Sequence, residues 1–337
     1  MKTNFPTTLY SAVFDRNFGD EYCFLCGQKG TKDSLTREHV IPKWVQNAYD
    51  LWDQQLYLLN RTTIPYRQLT IPACAECNCK VLQPLEKKVS NAVTNGFEAV
   101  QALESLTIFQ WLGKIFYGIL YKELFLAYDR SSPESEAITS PELLKKFQMH
   151  HFFLQSLRHP IIFDGFFPAS IFIYKTKSVD DVRYQWDFRD GLYNMFISCR
   201  MSDVGIIAVL QDGGAQQYFE NFWDKYRSMA LHPVQFQEIA AQISYKAHLF
   251  NRIPKYIWFE EEGKEVLRVY QLPLAGMSRK PLFDEWQWDE YARILSDFLN
   301  VPIDIIFIPP DNVMTWLHDE DGTIKKLDFN ACPWPPV

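Results

Sequence analysis

The chain has 337 residues, 47% of them hydrophobic and 16% aromatic, against 22% charged residues and 14 glycines. Such a composition supplies sizeable cores and excludes disordered and fibrous architectures, and the length suggests two domains. The net charge of -7 argues against a general electrostatic attraction to nucleic acid.

That charge is unevenly spread. Residues 1–96 carry 11 Lys/Arg against 9 Asp/Glu, whereas the remainder carries 23 against 32. The opening "MKTNFPTTLYSAVFDRNF" lacks the basic start, apolar run and small-residue cleavage site of a secretory signal, so the expected compartment is the cytoplasm. Cysteine pairs there bind metal more often than they form disulfides. "LTREHVIPKW" reads as a short strand running into a turn at Pro42, with room for a helix between Val45 and Leu59. "YRQLTIPAC" reads as a second short strand, and "CNCKVLQPLEKKVSNAV" as a helix kinked or restarted around Pro84.

From Phe97 the pattern changes. "FEAVQALESLTIFQWLGKIFYGILYKELFLAYDR" carries apolar residues at helical spacing. Its most apolar window, Leu106 to Tyr128, is interrupted by Lys114, Lys122 and Glu123. It therefore lacks the roughly 18 uninterrupted apolar residues of a membrane span and reads as a buried core helix. A polar linker, Ser131 to Pro141, precedes another helix, "PELLKKFQMHHFFLQSLR". The runs "ASIFIYKT", "VRYQWDF", "LYNMFIS" and "VGIIAVL" read as strands. Two helices, "GAQQYFENFWDKYRSMA" and "PVQFQEIAAQISYKAHLFN", follow. The tail mixes strand-like "KYIWFEEEGKEVLRVY" with helical "DEWQWDEYARILSDFL". The fold class is α+β, with a boundary near residue 96. Residues 97–337 form a larger α+β domain of long helices and a mainly antiparallel sheet, in a regulatory, sensor or dimerisation role.

Chemistry concentrates in the first segment. Cys23/Cys26 and Cys74/Cys77 form two Cys-x-x-Cys pairs separated by 47 residues. Each pair turns both sulfurs toward one point, which suits a closed tetrahedral Zn²⁺ site. The alternative is reduced buried thiols or a redox pair. Cys79 reads as a packing thiol, while Cys199 and Cys332 stand alone. His150 and His151 belong to no ligand pattern, and His159, His232, His248 and His318 are isolated.

Between the pairs lies "EHVIP", and the second pair continues directly into Asn78, as "CAECN". This constellation over residues 20–95 resembles the HNH endonucleases, the zinc-supported branch of the ββα-metal nucleases. The resemblance implies a small N-terminal ββα-metal module spanning residues 1–96. It further implies His39 as general base, with Glu38 and Asn78 as oxygen ligands to one catalytic Mg²⁺ or Mn²⁺. These residue types suit phosphodiester hydrolysis, because a neutral imidazole can deprotonate water and a hard divalent cation can stabilise a developing phosphorane. Successive strand residues point to opposite faces, so Glu38 and His39 can share one site only where the strand ends or twists. Glu86, eight residues past Asn78, would lie within about 80° of it on a continuous helix and is a further metal-ligand candidate.

Two positions depart from the family pattern. The family's last histidine is Asn78 here. Its middle asparagine, which holds the catalytic histidine's loop, is replaced by Gln68 or Leu69, and Gln68 is the candidate for that orienting role. Arg37, Lys43, Lys80, Lys87 and Lys88 are phosphate-contact candidates. The expected activity is metal-dependent hydrolysis of DNA, nicking or cutting according to oligomeric state, with RNA as the other possible substrate. Bacterial defence or a mobile element is the setting the resemblance suggests. The alternative is an inactive, zinc-supported module that binds nucleic acid or protein.

Overall fold

The computed structural model describes residues 10, 19–31, 34–58, 63–123, 126, 132, 134, 148–219, 221–252, 254–271 and 281–328. Cys332 and most of the 131–141 linker lie outside them, as does the start of the helix expected at Pro141. In chain order the elements begin with β1 (Leu35–His39), α1 (Lys43–Ala48), β2 (Gln55–Tyr57), β3 (Thr63–Pro65), β4 (Thr70–Cys74), α2 (Gln83–Thr94), α3 (Phe97–Gln101), α4 (Ser105–Glu123) and α5 (Gln148–Leu154). Next come β5 (Ile161–Asp164), β6 (Ser170–Lys175), β7 (Trp186–Gly191), β8 (Phe196–Met201), β9 (Val204–Val209), α6 (Ala215–Phe219) and α7 (Pro233–His248). The last are β10 (Lys255–Glu261), β11 (Lys264–Gln271), α8 (Trp288–Leu299), α9 (Ile303–Ile306), β12 (Phe307–Ile308) and β13 (Asn312–Val313). The α+β class and the mainly antiparallel sheets are as expected from the sequence.

The chain divides into two compact units, one comprising residues 1–94, 103–164 and 257–268, the other 95–102, 165–256 and 269–337. The first unit is thus larger than the segment that the sequence boundary near 96 marks out. The apolar α4 folds back as a core element, with Phe109, Trp111, Leu112, Phe116 and Leu120 fully buried. No helix among the described residues is long and apolar enough to cross a membrane.

In the first unit β1 and β4 pair antiparallel, from Leu35 opposite Cys74 to His39 opposite Thr70. A π-helical stretch, Glu76–Leu82, leads from β4 into α2. Pro84 explains it: with no N–H to give, and a ring that crowds the carbonyl four residues back, it forbids a regular ladder. The Gln83 N–H turns instead to the Asn78 carbonyl, five residues earlier. One face of α4 runs along this assembly. Trp111 stacks on Trp44 at 6.1 Å between ring centroids, and Lys114 reaches the end of β1. Gly118, one turn beyond Lys114, meets Val40 and Ile71. A β-carbon at Gly118 would sit 2.9 and 3.0 Å from the two Val40 methyls and 3.3 Å from Ile71 Cδ1. Gly118→Val should therefore cost about 1–3 kcal/mol by overpacking. Urea denaturation checks this, and an unchanged midpoint would show that Val40 yields.

β5, which the sequence analysis did not anticipate, pairs parallel with β11, which in turn pairs with β10. In the second unit the strands run β6-β9-β8-β7, antiparallel throughout. One core cluster joins Phe172, Tyr174, Phe196, Ile207 and Val209 of this sheet to Phe236, Ile239 and Ile243 of α7. Val234, Ala241 and Tyr245 of α7 form a second cluster with Tyr291, Leu295 and Leu299 of α8. His232, isolated in sequence, caps α7: its Nδ1 accepts from the Val234 N–H at 3.2 Å. Buried Glu238 accepts from Thr315 Oγ1 at 2.5 Å and the Trp316 N–H at 2.7 Å, and burial pushes its pKa up to about 7.

Candidate metal centre and adjoining cleft

The first cysteine pair sits in a turn closed by the Gly27 N–H to Cys23 carbonyl bond, 2.8 Å, with Gly27 at φ +70°. The Phe24 N–H donates to the Pro72 carbonyl at 2.9 Å and ties this turn to β4. Cys74 is the last residue of β4 and Cys77 lies in the first turn after it. All four sulfurs lie within 4.8 Å of one another, and Cys26 Sγ and Cys74 Sγ are 3.7 Å apart. Zn–S bonds of about 2.3 Å place tetrahedral sulfurs about 3.8 Å apart. The quartet can therefore hold one metal ion such as zinc.

Backbone N–H groups point at the sulfurs, Gln28 at Cys26 (3.5 Å) and Cys77 at Cys74 (3.4 Å). Cys26 and Cys77 donate to the Cys23 thiolate and hold its pKa far down, while their own are driven up by the same contacts. Thiolates packed this closely repel one another, and a dication removes that penalty. His151 and Gln155 brace the turn through the Phe24 (2.9 Å) and Leu25 (2.8 Å) carbonyls. His150 bonds the Gly113 carbonyl at 3.0 Å. Both histidines are buried structural groups. Among the described residues the cysteine quartet is the only such group of His, Cys, Asp or Glu.

Beside the quartet opens a cleft of about 520 Å³ lined by Arg37, Glu38, His39, Lys43, Trp44, Asn78, Cys79, Gln83, Glu86, Lys87, Ser90 and Asn91. Glu38 and His39 share it although they are adjacent in a strand, because β1 ends at His39. Asn78 Nδ2 donates to Thr36 Oγ1 at 2.8 Å, and that hydroxyl donates to the Ala73 carbonyl at 2.7 Å. Thr36 can then only accept from Asn78, which leaves the amide oxygen as the atom for a ligand. The π-helical stretch turns less per residue than an α-helix, which narrows the angle between Asn78 and Glu86.

The His39 ring is half-buried and stacks on Trp52, 5.9 Å between centroids at 26°. Burial, followed by the charges of Lys43 and Lys114, lowers its pKa below the ordinary value, against the pull of Glu38. That shift favours the neutral imidazole over the imidazolium.

Behind the cleft lies a residue absent from the sequence pattern. The Lys114 side chain is 1% exposed. Its Nζ donates to Glu38 Oε1 at 2.5 Å, Glu86 Oε1 at 2.8 Å and the His39 carbonyl at 2.8 Å, with the Val40 carbonyl at 3.3 Å. Burial opposes its charge, but the two carboxylates outweigh burial and its pKa is raised. Burial raises that of Glu86, with Glu38 adding to it and Lys114 opposing.

Several sequence candidates lie elsewhere. Gln68, exposed at the end of a 3-10 turn, does not line the cleft. Lys80 pairs with Glu76 on the surface, and Lys88 reaches Thr107 and Glu104. Arg37 also lines a second groove of about 170 Å³, with Thr36, Thr70 and Lys122 among its walls. Comparison with known proteins adds no relative: no family model, curated protein or solved structure matches the chain.

Proposed function

We propose that this protein is a metal-dependent endonuclease that hydrolyses DNA phosphodiester bonds in the cleft beside the cysteine quartet. The observation that carries this reading is the convergence of His39, Glu38, Asn78 and Glu86 on one cleft, built by an antiparallel strand pair and the helix that follows it. A pure scaffold needs only the cysteines. In this reading the quartet holds one structural Zn²⁺ and fixes the start of the helix against β1.

His39, neutral and exposed to the cleft, takes the proton from the attacking water; the water oxygen bonds to phosphorus as the P–O3′ bond breaks. Trp52 keeps the ring in plane. The carboxylates of Glu38 and Glu86 and the amide oxygen of Asn78 would form a hard donor set suited to Mg²⁺ or Mn²⁺. When bound, that ion supplies charge for the developing phosphorane and the leaving oxygen. Arg37, Lys43 and Lys87 line the cleft and would bind flanking phosphates in this reading.

The test separates ligand from base. Asn78→Ala should raise the Mn²⁺ concentration for half-maximal cleavage by at least about tenfold, with recovery at high Mn²⁺. His39→Ala should not recover. If both variants responded identically to Mn²⁺, the division of roles would be wrong.

A further inference from the structure

We infer that Lys114, contributed by α4 from outside the Cys–Glu-His–Cys pattern, is the positioning residue that holds the general base and the acidic pair in register. The inference rests on the nuclease reading for its functional meaning, but its geometry stands alone.

An ammonium has three N–H donors. Lys114 spends them on Glu38, Glu86 and the His39 carbonyl, the three shortest of its contacts. None is left over, so the group is fully satisfied despite burial. Its partners are the side chain before His39, the backbone of His39 itself and the side chain one helix away. One cation thereby fixes the end of β1 to α2. It also orients both carboxylates, through Oε1 of each. Gln68, the sequence candidate for orienting the histidine, lies outside the cleft, and Lys114 fills that role through the backbone instead.

The close approach of α4 makes this possible. Lys114 and Gly118 lie four residues apart on one helical face. Gly118 brings that face within van der Waals contact of Val40, whose carbonyl is also within reach of Nζ.

Lys114 could matter merely by balancing charge, because its removal leaves two adjacent carboxylates, Glu38 buried and Glu86 partly buried, uncompensated. The experiment therefore compares Lys114→Met/Glu86→Gln, which keeps the net charge of the cluster, with both wild type and Glu86→Gln alone, all zinc-loaded full-length chains. The double variant removes one charge of each sign and should fold, with thermal midpoint and zinc content as controls. A positioning role predicts turnover on duplex DNA lower by on the order of 10- to 100-fold in the double variant, with KM little changed. It also predicts a shifted or broadened His39 imidazole signal in ¹³C-histidine NMR, assigned with His39→Ala. Equal turnover and an unmoved His39 signal would overturn the inference. If the wild-type protein cleaves nothing, the nuclease reading falls, and the His39 signal alone still decides the role of Lys114.

Discussion

Cys74→Ser is expected to release the bound metal and unfold the first segment, residues 19–94. Cys74 is at once the end of β4, the register partner of Leu35 and a sulfur 3.7 Å from Cys26. Structural zinc sites contribute about 10–16 kcal/mol to the modules that they close, more than the whole stability of many domains. Zinc content should fall from one equivalent to a small fraction, and amides between Tyr22 and Val89 should lose exchange protection. The buried α4 has its own apolar contacts and should retain more. Cys79→Ser is the control: this thiol is exposed, faces the cleft and lies outside the quartet, so zinc should stay at one equivalent. Full zinc in Cys74→Ser, or its loss in Cys79→Ser, would reassign the ligands.

His39→Ala should lose roughly 10²–10⁴-fold in turnover while still binding DNA and metal, the range for removal of a general base. The pH profile supplies the sign. Only neutral imidazole accepts a proton, so cleavage rises with pH through the His39 titration. Burial, Lys43 and Lys114 place that titration below the ordinary value of about 6.5. Activity should be level from neutral pH upward and fall only in acid. An acid limb centred above about 6.5 would contradict the environment described for this ring.

The local parts of the site were legible in the sequence because their spacing is short and their chemistry is typed. The two cysteine pairs, Glu38-His39 and Asn78 each stand in a short stretch, and the structure gathers the four sulfurs together and brings Glu38, His39 and Asn78 to one cleft. The disruption at Pro84 was legible for the same reason, although a π-helical stretch was one of several ways to absorb it. Lys114 was not legible. It sits in the most apolar window of the chain, where a lysine reads as an interruption, and its carbonyl partner is 75 residues away. Trp52 and Thr36 escaped likewise, since neither ring stacking nor a hydroxyl relay leaves a pattern in sequence. The boundary near residue 96 was drawn where the sequence periodicity changes. What it missed is tertiary: α4 belongs to the later pattern but packs with the earlier segment. β5 was hidden because its parallel partner, β11, lies about a hundred residues further along.

Supercoiled plasmid incubated with zinc-loaded wild-type protein is the most direct measurement. The cleft described above predicts conversion to nicked or linear DNA with Mg²⁺ or Mn²⁺, none with EDTA, and almost none with His39→Ala. Plasmid left intact by a wild-type protein that carries its zinc and retains the DNA would contradict it, and the four cysteines would then support a binding module.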